Sequence, residues 1–123
     1  MVIIDTDVII SSIRGNEIAK QLIRKYIDVA HVSVITEMEL YVGATNKLKK
    51  DIVDQVLKSH EIIPINKAIC EIATRLVKTY NTANKSLLFP DALIAATCIH
   101  ENCRLVTFNV KDYKFIKGLH LAM

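Results

Sequence analysis

The 123-residue chain has little that breaks or staples a backbone: three glycines, two prolines and three cysteines. With 51% apolar and 24% charged residues, that scarcity excludes a disordered or fibrous chain and fits a compact, helix-rich domain. An odd number of cysteines with no CxxC pair excludes a disulfide framework. Cys70 and Cys98 fall on apolar helical faces, where a thiol behaves as a small hydrophobe. Cys98, His100 and Cys103 match no standard zinc spacing and lack a fourth ligand. No apolar run reaches the roughly 18 residues of a bilayer span, and no basic region with an apolar stretch opens the chain, so a cytoplasmic, non-membrane protein is expected. The net charge of +3 is too small to mark a nucleic-acid binder. The basic groups RKY (24–26), KLKK (47–50) and KDYKFIK (111–117) read most simply as solvated helix faces.

What is present is an alternation of short β-branched runs with segments of helical period. MVII (1–4), HVSVIT (31–36), HEIIPI (60–65) and RLVTF (104–108) read as buried strands, and GLHLAM (118–123) as a weaker fifth. Ile18, Leu22, Ile23, Tyr26 and Ile27 recur at helical spacing, as do Leu48 to Leu57, Ile69 to Tyr80, and Leu93 to Cys98 in a helix starting at Pro90. Residues 81–89 read as an irregular loop. Such alternation implies an α/β fold with a mostly parallel sheet covered on both faces, in one domain over residues 1–123. Ligands then bind beyond the carboxyl ends of the strands.

Acids stand at those ends. VIIDTDVII places Asp5 and Asp7 just past the first strand, where they reach a cleft instead of being buried unpaired. Glu39 follows VSVI at the start of a helix, Asp91 opens DALIAATCIHEN, and Asp112 lies in a turn after LVTFN. Carboxylates brought together cannot all ionise without something positive among them, and oxygen ligands without organised His or Cys favour Mg²⁺ or Mn²⁺. Such an ion polarises phosphoryl oxygens and activates water, so phosphodiester hydrolysis follows. Each acid also has a plainer structural role: Thr36 and Glu39 as a capping box, Asp91 against a helix dipole, Asp7 as an N-cap, Asp112 in a surface turn. Those roles do not account for four acids at strand ends.

The phrases VIIDTDVII, VSVITEMELYVGA, DALIAAT and LVTFNVKDYKFIKGLHL, in that order over nearly the whole chain, resemble the PIN-domain ribonucleases, in particular the VapC-type toxins of toxin–antitoxin pairs. The resemblance implies that Asp5, Glu39 and Asp91 are the core acids. A family stretch T-x-[DN]-x-x-[DH]-[FY] reads here as Thr107, Asn109, Asp112 and Tyr113, implying Asp112 as the charged member and Asn109 as a polar contributor. Asp7 departs from the Asn or Ser more usual in relatives. Also implied are a three-layer α/β/α sandwich with a five-stranded parallel sheet, Mg²⁺ or Mn²⁺ dependence, an RNA substrate, homodimerisation, and inhibition by an antitoxin entering the cleft.

On this reading Asp5 and Asp91 hold the principal metal, Glu39 and Asp112 orient a second cation or a water, and Thr6 positions Asp5 or the phosphate. Arg14, Lys47, Lys49 and Lys50 steer the RNA backbone. Rival readings are a haloacid-dehalogenase-like phosphatase with Asp5 as nucleophile, a PIN-like domain that binds RNA without cutting it, and a receiver-like domain using Lys111. The phosphatase lacks its late acid pair, and the non-catalytic domain would be expected to have lost a core acid.

Overall fold

Strand β1 (Val2–Ile4) has all three residues buried, Val2 and Ile4 facing one core and Ile3 the other. In the computed structural model, which describes residues 1–122, it pairs on one side with β2 (Ala30–Ser33) and on the other with β4 (Arg104–Val106). Strands β3 (Glu61–Ile63) and β5 (His120–Leu121) form the edges, giving the order β3-β2-β1-β4-β5 with every pairing parallel. A central strand buried on both faces has no reason to alternate, which is why β1 reads as a continuous apolar run.

Among the described residues seven helices surround the sheet: α1 (Thr6–Ile13), α2 (Glu17–Lys25), α3 (Val34–Val42), α4 (Lys47–Leu57), α5 (Lys67–Tyr80), α6 (Phe89–Glu101) and α7 (Val110–Tyr113). The core on one face joins Val2, Ile4, Val32 and Val106 to Val8 and Ile9 of α1, Leu40 of α3 and Val53 of α4. On the opposite face Ile3 and Leu105 meet Ile69 and Leu76 of α5, Ile94 of α6 and Tyr113. The result is the three-layer α/β/α arrangement expected from the sequence.

Capping explains where elements begin and end. Asn16, Asn46 and Asn66 each accept an amide three residues on, at 2.8 to 2.9 Å, starting α2, α4 and α5. Asn102, in the left-handed region at φ 53°, closes α6: its amide donates to Ile99 and that of Cys103 to Cys98. This Schellman closure packs Cys98 and Cys103 side by side in the core. Neither is arranged with His100 as a zinc site, and Cys70, expected on an apolar face, is exposed.

Several boundaries differ from expectation. HVSVIT is strand only to Ser33, whose Oγ caps the Ile35 amide at 3.1 Å and turns the chain into α3. Thr6–Ile13, to which the sequence assigns no element beyond Asp7 as a cap, is helix α1. The third strand stops before Pro64, which has no amide to donate to a ladder. Residues 81–88 are irregular apart from a Thr82–Lys85 bridge, and α6 begins at Phe89, one residue before Pro90. Met123, in the expected fifth strand, lies outside the described residues.

Candidate active site

Asp5 is the residue at which β1 ends and α1 begins. Its amide continues the ladder by donating to the Val106 carbonyl at 2.9 Å. Its carboxylate caps α1, one oxygen accepting the Thr6 amide at 2.9 Å and the other the Thr107 hydroxyl at 2.8 Å. The residue is 4% exposed. Burial, then the negative charge of Asp7, pushes its pKa up to about 7, against the bonds from Thr107 and Thr6; Asp91 adds to the rise.

Asp7 stands in the first turn of α1. One oxygen accepts the Phe108 amide at 3.0 Å, while Oδ1 is buried with no partner in the protein. Burial raises its pKa, opposed by the Phe108 and Val8 amides. A buried carboxylate oxygen without a donor is costly unless something outside the chain meets it.

Glu39 lies in the middle of α3. Thr6 Oγ1 donates to Glu39 Oε1 at 2.8 Å and also lies 2.8 Å from Thr36 Oγ1. A hydroxyl has one proton, so with Thr6 donating to Glu39, Thr36 must donate to Thr6. The result is a directed chain from Thr36 through Thr6 to Glu39, with Thr36 fully buried.

Asp91, in the first turn of α6, accepts the Tyr113 hydroxyl at 3.1 Å. Burial raises its pKa, opposed by that bond, and the charges of Asp112, Glu39 and Asp7 raise it further. Burial, with Asp5 and Asp91 nearby, drives the Tyr113 phenol well above its ordinary range, so it stays a donor. Asp112 is exposed on α7. Exposed Asn109 contributes its backbone amide, 3.0 Å from Thr107 Oγ1, and no side-chain cap.

Asp5 thus feels the charges of Asp7 and Asp91, and Asp91 those of Asp112, Glu39 and Asp7, which places these acids near Asp91 at the carboxyl edge of the sheet. Among the described residues none of them enters an ion pair. Nor, among the described residues, do three His, Cys, Asp or Glu side chains form a ready-made metal trio. The donor set still suits a hard cation: all oxygen, negative in sum, with one buried oxygen unpartnered. Mg²⁺ needs only one or two carboxylates, completing its shell with water and phosphate.

Some expected roles change. Glu39 is not paired with Thr36 in a capping box; Ser33 caps α3 and Glu39 takes its bond from Thr6. The N-cap of α1 is Asp5, not Asp7. Asp91 follows no strand and reaches the sheet edge at the N-terminus of α6, and Asp112 lies in a short helix rather than a turn. Thr36, expected only as a cap partner of Glu39, and Tyr113, expected only as the last position of the family stretch, are further contributors. Of the basic residues, Arg14 and Lys49 line a cavity of about 350 Å³ with Ile10, Ile13, Leu40 and Glu39, whereas Lys47 faces Asp51 at 3.0 Å and Lys50 is simply exposed.

The PIN domain family model matches residues 2–116. The chain belongs to the PIN-domain family. This PIN domain is 32% identical over 126 residues to Ribonuclease VapC1 of Rickettsia felis, the match covering 97% of this chain and 92% of that protein. It is 28% identical over 122 residues to Ribonuclease VapC10 of Mycobacterium tuberculosis, covering 97% and 90%. It superposes on a chain of a toxin–antitoxin complex from Klebsiella pneumoniae with a TM-score of 0.83 at 30% identity, covering 97% of this chain and 95% of the other. A chain of Rickettsia felis VapBC2, solved bound to a promoter DNA fragment, gives a TM-score of 0.87 at 23% identity, with 99% and 98% covered. No helix among the described residues of this PIN domain is long and apolar enough to cross a membrane.

Proposed function

We propose that this PIN domain is the ribonuclease toxin of a toxin–antitoxin pair, a hydrolase that cuts RNA with the help of Mg²⁺ or Mn²⁺. What supports the reading is the nearness of Asp5, Asp7, Glu39 and Asp112 to Asp91, felt as charge on it or on Asp5, together with the buried unpartnered oxygen of Asp7. Asp5 and Asp91 would hold the principal ion, with Asp7 as a further ligand. A bound ion supplies charge neutralisation at the phosphate and a lower pKa for the attacking water.

The protein's own groups do the rest. Thr107 and Thr6 fix both oxygens of Asp5, and Tyr113 fixes Asp91, so neither carboxylate has to reorganise when substrate arrives. Glu39, aimed by the Thr36–Thr6 chain, and exposed Asp112 orient the water and accept its proton. The water oxygen bonds to phosphorus as the bond to the 3′ oxygen breaks, and that oxygen takes a proton from solvent, leaving a 5′-phosphate and a 3′-hydroxyl. Arg14 and Lys49 draw in the RNA backbone. In the cell an antitoxin protein covers the site, and the toxin acts as a homodimer.

The nucleophilic reading of Asp5 is disfavoured because the segment after β4, TFNVKD, carries no adjacent acid pair of the kind that mechanism needs. The test is incubation of purified protein with total RNA in Mg²⁺, Mn²⁺ or chelator. Oligonucleotides with 5′-phosphates, formed only with metal and lost in Asp5→Asn and Asp91→Asn, are expected. Cleavage that persists in chelator or in either variant would overturn the proposal, and binding without turnover would favour the non-catalytic reading.

A further inference from the structure

Phe108 is an aromatic side chain 36% exposed beside the acids. The backbone around it is pinned: its own amide donates to Asp7 at 3.0 Å, the Thr107 hydroxyl to Asp5 at 2.8 Å, and the Asn109 amide to Thr107 at 3.0 Å. Those bonds use main-chain groups and Thr107, which any residue at 108 would preserve. The ring, more than a third exposed, thus stands on a fixed backbone next to Asp7. Exposed Lys111, Lys114 and Lys117 follow on the same segment.

Resting on the nuclease reading above, we propose that the Phe108 ring is a stacking platform for a base of single-stranded RNA next to the cleaved linkage. An aromatic ring beside a run of cations is the combination that binds single strands, the cations tracking phosphates and the ring taking a base face whatever its sequence. An antitoxin covering the site would compete for the same ring, and the exposed lysines that follow it in the chain favour a nucleic-acid strand as its occupant during turnover. Stacking gives the rigid site a way to hold substrate in register with Asp5 and Asp91 without reading sequence.

Kinetics on an eight-residue oligouridylate test the idea. Phe108→Ala and Phe108→Leu are both expected to raise KM about ten-fold with kcat within about two-fold, and Phe108→Tyr to restore the wild-type KM. Leucine is decisive, since it keeps apolar bulk but has no π face. The chain has no tryptophan, so Phe108→Trp also installs a unique fluorophore. Placed in the Asp5→Asn background, it should be quenched by the oligouridylate and not by an abasic phosphodiester of the same length, while Ile18→Trp, on exposed α2, responds to neither. A Leu variant as good as wild type, equal quenching by the abasic strand, or a change of oligomeric state in Phe108→Ala by light scattering would overturn the proposal. If the unaltered protein cuts RNA and these results go the wrong way, only the stacking platform falls; if it cuts no RNA, the nuclease reading falls first.

Discussion

Replacing Asp5 by asparagine should make the metal-free protein more stable while abolishing its activity. An ordinary aspartate titrates near 3.8 and Asp5 near 7, a difference worth about 4 kcal/mol. Because the folded protein holds this proton more tightly than the unfolded chain, ionisation opposes folding: the penalty is absent below about pH 4, grows as pH rises, and is complete above about pH 7. Asparagine keeps an oxygen for the Thr6 amide, and the Thr107 hydroxyl can turn to accept from its amide group. Asp5→Asn should then exceed wild type by up to about 4 kcal/mol at pH 8, with the gain vanishing near pH 4. Even half of that moves a urea midpoint by about 1 M. His60 acts in the opposite sense: burial and then His31 lower its pKa, so its contribution is lost as pH falls below about 6.5. Both proteins share it, and it cancels in their difference. Mg²⁺ at a hundred times its dissociation constant should return about 2.7 kcal/mol to wild type and little to the variant. Urea unfolding in chelator at pH 5, 6.5 and 8 measures all of this. No gain in Asp5→Asn at pH 8, or a wild-type stability that does not fall between pH 5 and 8, would refute the reasoning.

Thr6→Val leaves Glu39 and Thr36 without their shared partner and should cost about 1–3 kcal/mol together with most of the cleavage rate, whereas Thr6→Ser should retain both. Tyr113→Phe removes the donor that opposes the rise at Asp91, so the acid limb of the pH–rate profile should move to higher pH with the fold intact. Asn102→Gly, at the left-handed residue closing α6, should raise the melting temperature by a degree or more with no effect on activity. Arg14→Ala should weaken RNA binding alike for all sequences and reduce the salt slope by about one.

Burial pattern made the layers legible: β1 is buried on both faces and reads as an unbroken apolar run, and β2 and β4 are buried apart from His31 and Arg104. Helices with one wet face, such as α4 and α5, declared themselves by period. Helix α1 did not, because Val8, Ile9 and Ile10 are a continuous apolar run that strand and helix share, and only the cap made by Asp5 distinguishes them. The boundary at Ser33 is hidden for the same reason, since VSVIT is rich in β-branched residues and the helix start rests on one hydroxyl. Among the site residues, the acids stood out as charges in apolar surroundings. Thr36 is silent in sequence because a T-x-x-E spacing has a local explanation, and its actual partner, Thr6, is 30 residues away. Tyr113 stands in the family stretch without a role of its own there; in the fold its ring is buried and only its hydroxyl reaches Asp91.

The central claim is that these carboxylates share one hard cation. Anomalous scattering from crystals soaked in Mn²⁺ tests it most directly. A peak about 2.1 Å from oxygens of both Asp5 and Asp91 is the result the account predicts; a fully soaked crystal with no peak there, or with manganese bound only elsewhere on the surface, would contradict it.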